Sequence, residues 1–114
     1  MNPLDVPFVS LDELPAGAVL LDVREDEEWV AGHIDGALHI PMNQVPNRIT
    51  HEPGELSPQT PIVVVCKMGG RSAQVTAWLN RSGFDAVNLD GGMLAWATSG
   101  RAMTSEDGAT PRIV

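Results

Sequence analysis

A single cysteine, Cys66, stands among the 114 residues, so no internal disulfide can form. Zinc sites built from several thiolates are excluded with it. The three histidines, His33, His39 and His51, fall at spacings that match no metal motif, and no metal site is expected. Basic residues are scarce as well: 7 Lys and Arg against 15 Asp and Glu, for a formal charge of −8. That balance argues against binding nucleic acid phosphates or an anionic membrane surface. No apolar run approaches the roughly 20 residues of a membrane helix. The first residues, from Met1 to Pro7, carry neither a basic region nor an apolar one, so no signal peptide is expected. Internal repeats and low-complexity stretches are lacking. These absences lead to the expectation of a cytoplasmic domain with one core.

Turns are plentiful, with 11 Gly and 9 Pro, and between them lie short apolar runs. Val19–Val23 follows the Pro15-Ala16-Gly17 turn and reads as a strand buried on both faces. Ala37–Ile40, Pro61–Val65 and Ala86–Leu89 read as further strands, with the β-branched Pro61–Val65 run as the centre of the sheet. Helices are expected over Glu25–Ala31, Ser72–Gly83 and Met93–Thr98, with a helical turn between Met42 and Ile49. The second of these carries Val75, Trp78, Leu79 and Ser82 at i, i+3, i+4 and i+7 before the stop at Gly83. Strands alternating with helices predict an α/β fold with a mostly parallel sheet of four or five strands flanked by helices. The domain is expected over 1–104, and the small, polar stretch 105–114 is expected to be loosely ordered.

In open α/β sheets ligands bind beyond the carboxyl ends of the strands. Cys66 directly follows the central strand, and Lys67-Met68-Gly69-Gly70-Arg71-Ser72 leads into a helix. A lone cysteine at a strand end is usually a small buried hydrophobe. An inert one, however, has no need of a cationic, glycine-rich neighbourhood. A helix N-terminus, loop amides and the cations Lys67 and Arg71 all favour negative charge and so raise the thiolate fraction. Gly69 and Gly70 let backbone approach an anion without a Cβ in the way. Residues 66–72 therefore read as a nucleophile seated in an anion cradle. The nucleotide-binding pattern Gly-x-x-x-x-Gly-Lys-Ser/Thr is absent.

Three segments resemble the rhodanese homology domain, a sulfurtransferase family. Leu21-Asp22-Val23-Arg24 followed by Glu28-Trp29, Gly32-His33-Ile34 and Gly36-Ala37 resembles its opening signature. Cys66 to Ser72 resembles its active-site loop, Cys-x-x-Gly-x-Arg-Ser. Leu89-Asp90-Gly91-Gly92-Met93 with Trp96 and Gly100 resembles its closing element. The three occur in the family's order across most of the chain.

The resemblance implies the three-layer rhodanese-like fold and sulfur transfer through a persulfide on Cys66. The donor would be thiosulfate or a protein persulfide, the acceptor a thiol or dithiol protein, or cyanide. No metal, nucleotide or organic cofactor is implied. Lys67, Met68, Gly69, Gly70, Arg71 and Ser72 would bind substrate, with the Ser72 hydroxyl also capping the following helix and donating a hydrogen bond inward. Asp22 and Arg24 would hold the loop and neighbouring backbone by hydrogen bonds. Two other readings exist within the same fold: a catalytically silent binding module, and a phosphatase or arsenate reductase. The latter enzymes place the arginine six positions after the cysteine, whereas Arg71 is five positions on.

Several residues are expected outside the chemistry. His33 is read as making a structural hydrogen bond to backbone rather than acting as a base. Trp29, Trp78 and Trp96 are read as packing residues. Met68 is open between an apolar lip for the donor and inward packing. The acidic run Glu25–Glu28 is read as a solvated helix face, with a basic partner as the alternative.

Overall fold

The computed structural model describes residues 6–114. Five strands form one sheet: β1 (Phe8–Val9), β2 (Val19–Asp22), β3 (Leu38–His39), β4 (Ile62–Val65) and β5 (Ala86–Leu89). Their order is β1-β5-β4-β2-β3, and every pair is parallel. Three α-helices link successive strands, α1 (Asp26–Ala31), α2 (Val45–His51) and α3 (Gly70–Arg81), and α4 (Gly92–Thr98) follows β5. Among the described residues no helix is long and apolar enough to cross a membrane.

Period-two alternation along β4 builds the core on both sides of the sheet. Ile62 and Val64 join Val45 of α2 and Val75 and Leu79 of α3 in one cluster. Val63 and Val65 turn the other way, to Met93 and Trp96 of α4 and Leu89. All four residues of β4 are buried, as a central parallel strand between two helical layers requires. The architecture is the α/β one expected.

Two elements differ from the expectation. β1 is only two residues long, too short to show any periodicity, and joins the edge of the sheet beside β5. The Met42–Ile49 turn is a 3-10 turn over Met42–Gln44 that runs on into α2, with Pro46 near its start, where the missing N–H costs nothing.

The stretch 105–114 contains no helix or regular strand, yet it is not loosely held. Glu106 N–H donates to the Val30 carbonyl at 2.9 Å, and Arg112 N–H donates to that of Ala31 at 3.0 Å. Ile113 packs against the core cluster of α4. The approach is close enough that a Cβ on Gly32 would stand 2.7 Å from the Arg112 nitrogen. Short, polar composition signals low burial, but it says nothing about backbone bonds made to a distant helix end.

Candidate active site

Because every strand runs the same way, the segments following β2, β4 and β5 emerge at one edge of the sheet. Asp22 pairs in register with Val65, and Val23 N–H donates to the Val65 carbonyl at 3.0 Å. Cys66 leaves β4 at that edge with only 1% of its surface exposed. The chain then curls through Gly69, whose backbone sits at φ +119°, a conformation that favours glycine. From there it enters α3.

The curl aims two groups at the sulfur. Gly69 N–H donates to Cys66 Sγ at 3.1 Å, and Ser72 Oγ lies 3.1 Å from the same atom. Ser72 was expected both to cap the helix and to bond inward, and only the inward contact forms. α3 begins two residues earlier, at Gly70 with Gly69 as its N-cap, and Ser72 lies wholly buried within the first turn. Its hydroxyl is thereby spent on the sulfur. The amides of Gly70, Arg71 and Ser72 belong to the first turn of α3, where N–H groups have no intrahelical acceptor.

The loop is held from behind by the start of α4. Met93 N–H donates to the Cys66 carbonyl at 2.8 Å, and Leu94 N–H donates to that of Lys67 at 3.1 Å. This contact needs Gly92. A methyl there would stand 2.6 Å from the Lys67 carbonyl oxygen and nearer still to that of Cys66. Asn88 on β5, buried, donates from Nδ2 to the Gly69 carbonyl at 3.1 Å. Gly92 entered the sequence reading only as part of a motif, and Asn88 only as a strand residue. No sequence pattern points to a buried asparagine that bonds 19 positions back along the chain.

The cations of the loop part company. Arg71 was expected to attract an anionic donor. Its Nη1 and Nη2 instead donate to the Glu28 carboxylate at 2.7 and 3.0 Å. The Arg71 hydrogen bonds hold the Glu28 carboxyl below its ordinary value, and the same bonds raise Arg71. Glu28 is the one exception to the solvated acidic face: Glu25, Asp26 and Glu27 are exposed, whereas its side chain is only 14% exposed. It also accepts from the Glu25 N–H at 3.0 Å, closing a capping box at the start of α1. Lys67 has no acidic partner among the described residues. Met68 is 69% exposed and forms an apolar lip on the loop.

Asp22 and Arg24 form a buried pair below α1. Arg24 donates from Nη2 to Asp22 Oδ2 at 2.7 Å, to the Gly32 carbonyl at 2.8 Å, and from Nη1 to that of Glu28 at 3.4 Å. Their side-chain hydrogen bonds reach neighbouring backbone, with none to residues 66–72. The tie to the loop runs through Glu28, which Arg24 holds by its carbonyl and Arg71 by its carboxylate.

His33 is buried away from the thiol. Its Nδ1 lies 3.1 Å from the Ile34 carbonyl oxygen and its Nε2 2.8 Å from Glu106 Oε2. Trp29 is stacked between two imidazoles, His33 at 3.5 Å and His39 at 4.6 Å. Trp96 packs in the core with its indole N–H on the Ala102 carbonyl at 3.0 Å. Trp78 packs against the α3 side of the core and also lines a groove of about 560 Å³ with Met42, Pro46 and Arg81. None of residues 66–72 lines that groove.

Comparison with known proteins places this arrangement. The rhodanese-like domain profile matches residues 10–99. The thiosulfate sulfurtransferase GlpE of Pseudomonas putida is 35% identical over 94 residues, covering 82% of both chains. A sulfurtransferase of Allochromatium vinosum is 35% identical over 91 residues, covering 79% of this chain and 81% of that one. Among solved structures, a rhodanese-like domain protein from Staphylococcus aureus is 30% identical with a TM-score of 0.68, covering 93% of this chain and 98% of that one. A rhodanese-related protein from Thermoplasma volcanium is 26% identical with a TM-score of 0.73, covering 86% and 97%. The chain belongs to the rhodanese-like domain family, and its enzyme class is that of the sulfurtransferases.

Proposed function

We propose that Cys66 carries sulfur as a persulfide between a donor and a thiol acceptor. The thiolate attacks the outer sulfur of thiosulfate, or of a persulfide on another protein. The new S–S bond forms on Cys66 as the donor's S–S bond breaks, and sulfite or the donor thiolate leaves with the bonding pair. An acceptor thiolate, or cyanide in an assay, then takes the outer sulfur and returns the Cys66 thiolate. Two half-reactions through one covalent intermediate give ping-pong kinetics.

The observation that carries this reading is the pair of contacts on the sulfur, Gly69 N–H and Ser72 Oγ, both at 3.1 Å. They offer hydrogen bonds to a sulfur anion at the end of α3 where backbone charge is positive. Burial of Sγ suits a carrier. The outer sulfur of a persulfide stands about 2 Å beyond Sγ, so the reacting atom lies further from the buried core while the anchoring atom stays sheltered. First-turn amides of Gly70, Arg71 and Ser72 and the Lys67 ammonium are the groups that would receive the donor. Asp22 and Arg24 support the loop at one remove, through α1. A free, reactive thiol is at home in a reducing compartment, and we place the enzyme in the cytoplasm.

Intact-protein mass spectrometry tests the proposal. Incubation with thiosulfate, polysulfide or a protein persulfide adds about 32 Da, one sulfur atom, and cyanide or dithiothreitol removes it. Cys66→Ser loads nothing while keeping the fold. Absence of loading from all of these donors would turn the assignment to a binding module.

A further inference from the structure

We infer that Asn88 is a positioning residue for sulfur transfer, held at a cost to stability: from β5 it pins the peptide between Gly69 and Gly70 and so fixes the two amides of the anion cradle on either side of Gly69. The inference rests on the sulfurtransferase reading of Cys66 and adds a residue to that site.

Three observations combine. First, Asn88 stands where packing calls for an apolar side chain. It is 2% exposed and pairs in register with Val64. Alternation along β5 puts it on the face of Ala86, and both Ala86 and Val64 belong to the core cluster under α3. Second, its amide is only partly satisfied. Nδ2 donates to the Gly69 carbonyl at 3.1 Å, while the buried Oδ1 accepts from no group among the described residues. Turning the amide over would set Oδ1 against the Gly69 oxygen, acceptor on acceptor, so the site itself imposes this orientation. A bare buried acceptor costs at least as much as one neutral hydrogen bond returns. Third, the bond is redundant for Gly69, whose carbonyl already accepts from Ala73 N–H at 3.1 Å. A residue that strands one polar atom to make a redundant bond adds little stability. What it adds is constraint.

That constraint falls where the chain has least of its own. Gly69 and Gly70 are consecutive glycines, and Gly69 sits at φ +119°, a region glycine enters and leaves readily. Its N–H is one of the two contacts on Cys66 Sγ. The peptide from Gly69 to Gly70 is planar, so holding its carbonyl from β5 sets the direction of Gly70 N–H on the opposite side. That N–H opens α3 and has no intrahelical acceptor, which leaves it for an anion. A carbonyl that takes two donors also polarises its peptide and makes the N–H a stronger donor.

The experiment uses two variants. Asn88→Leu keeps the outline of the side chain, and Asn88→Val is shorter and suits a strand. Each removes the Nδ2 donor together with the bare Oδ1. Both are expected to unfold in urea at or above the wild-type midpoint. Both form the Cys66 persulfide from thiosulfate about fivefold more slowly by time-resolved mass spectrometry, less than the loss of a direct contact, because Asn88 acts through a peptide. Amide exchange followed by NMR reads the positioning itself: Gly69 and Gly70 exchange faster in the variants, while Val75 to Leu79 stay as protected as in the wild type. A wild-type loading rate in either variant, or unchanged exchange at Gly69 and Gly70, would overturn the inference. So would slower loading accompanied in both variants by a lower midpoint and by lost protection along α3, the pattern of a merely structural residue. A wild-type protein that loads no sulfur would instead defeat the sulfurtransferase reading, and the exchange result would stand apart from it.

Discussion

Arg24 Nη2 lies 2.7 Å from Asp22 Oδ2, and both side chains are shut away from solvent. Two residues apart in sequence, they form a bidentate pair, because Arg24 Nε also donates to Asp22 Oδ1 at 3.0 Å. Removing one member strands the other charge without water. Asp22→Ala is expected to cost about 3–5 kcal/mol of stability, whereas Asp22→Leu combined with Arg24→Met recovers much of it. Denaturant midpoints of the two proteins provide the check. A double variant no better than the single one would show that the carbonyls of Glu28 and Gly32 depend on the guanidinium.

Ser72→Ala removes one of the two contacts to Cys66 Sγ while leaving α3 intact, since Ala is the better helix former. The expected result is an unchanged thermal midpoint and sulfur loading slowed about tenfold, the worth of one hydrogen bond to a charged atom. Time-resolved mass spectrometry of the loaded chain measures it. An equal loading rate would leave Gly69 N–H as the sole stabilising contact.

Gly92 sits at φ +56° against the carbonyls of Cys66 and Lys67. Gly92→Ala must therefore push α4 off the loop as well as bear the left-handed backbone, which alone costs about 1–2 kcal/mol. The variant is expected to lose stability and sulfur loading together, read by urea unfolding and by mass. Gly54→Ala, where an added Cβ meets nothing within 4 Å, is the control.

Acid should loosen the Glu28–Arg71 pair. Arg71 holds the Glu28 carboxyl below its ordinary value of 4.5. A carboxyl depressed in the folded state stabilises fully above its unfolded value and loses that contribution as pH falls through the lower, folded one. Stability measured by denaturant from pH 6 downward should fall less steeply below about pH 4.5 in Glu28→Gln than in the wild type. Parallel curves would mean that the pair forms equally in both states.

The sheet was legible because β2, β4 and β5 are apolar runs bounded by turn residues. α3 was legible because Val75, Trp78 and Leu79 repeat at helical spacing. Strand β1 was not, since two residues carry no period. At the site, the cysteine, the glycines and the cations announced themselves by type and adjacency. Partners did not. Four acids in a row, Glu25 to Glu28, look alike until α1 turns one of them inward to Arg71, 43 positions away. Likewise the contact of His33 with Glu106 spans 73 positions, so the order of the last ten residues had no signature in their own composition.

The docking of α4 on the loop also bears on timing. Met93 and Leu94 consume the carbonyls of Cys66 and Lys67, so the peptides of the loop are oriented by residues made 27 positions later in synthesis. Until that helix has emerged and seated, the loop lacks the contacts that fix its peptides and shelter Cys66, which the finished fold leaves only 1% exposed. A nascent or half-unfolded chain therefore opens Cys66 to solvent, and the slowing of its alkylation becomes a gauge of native assembly.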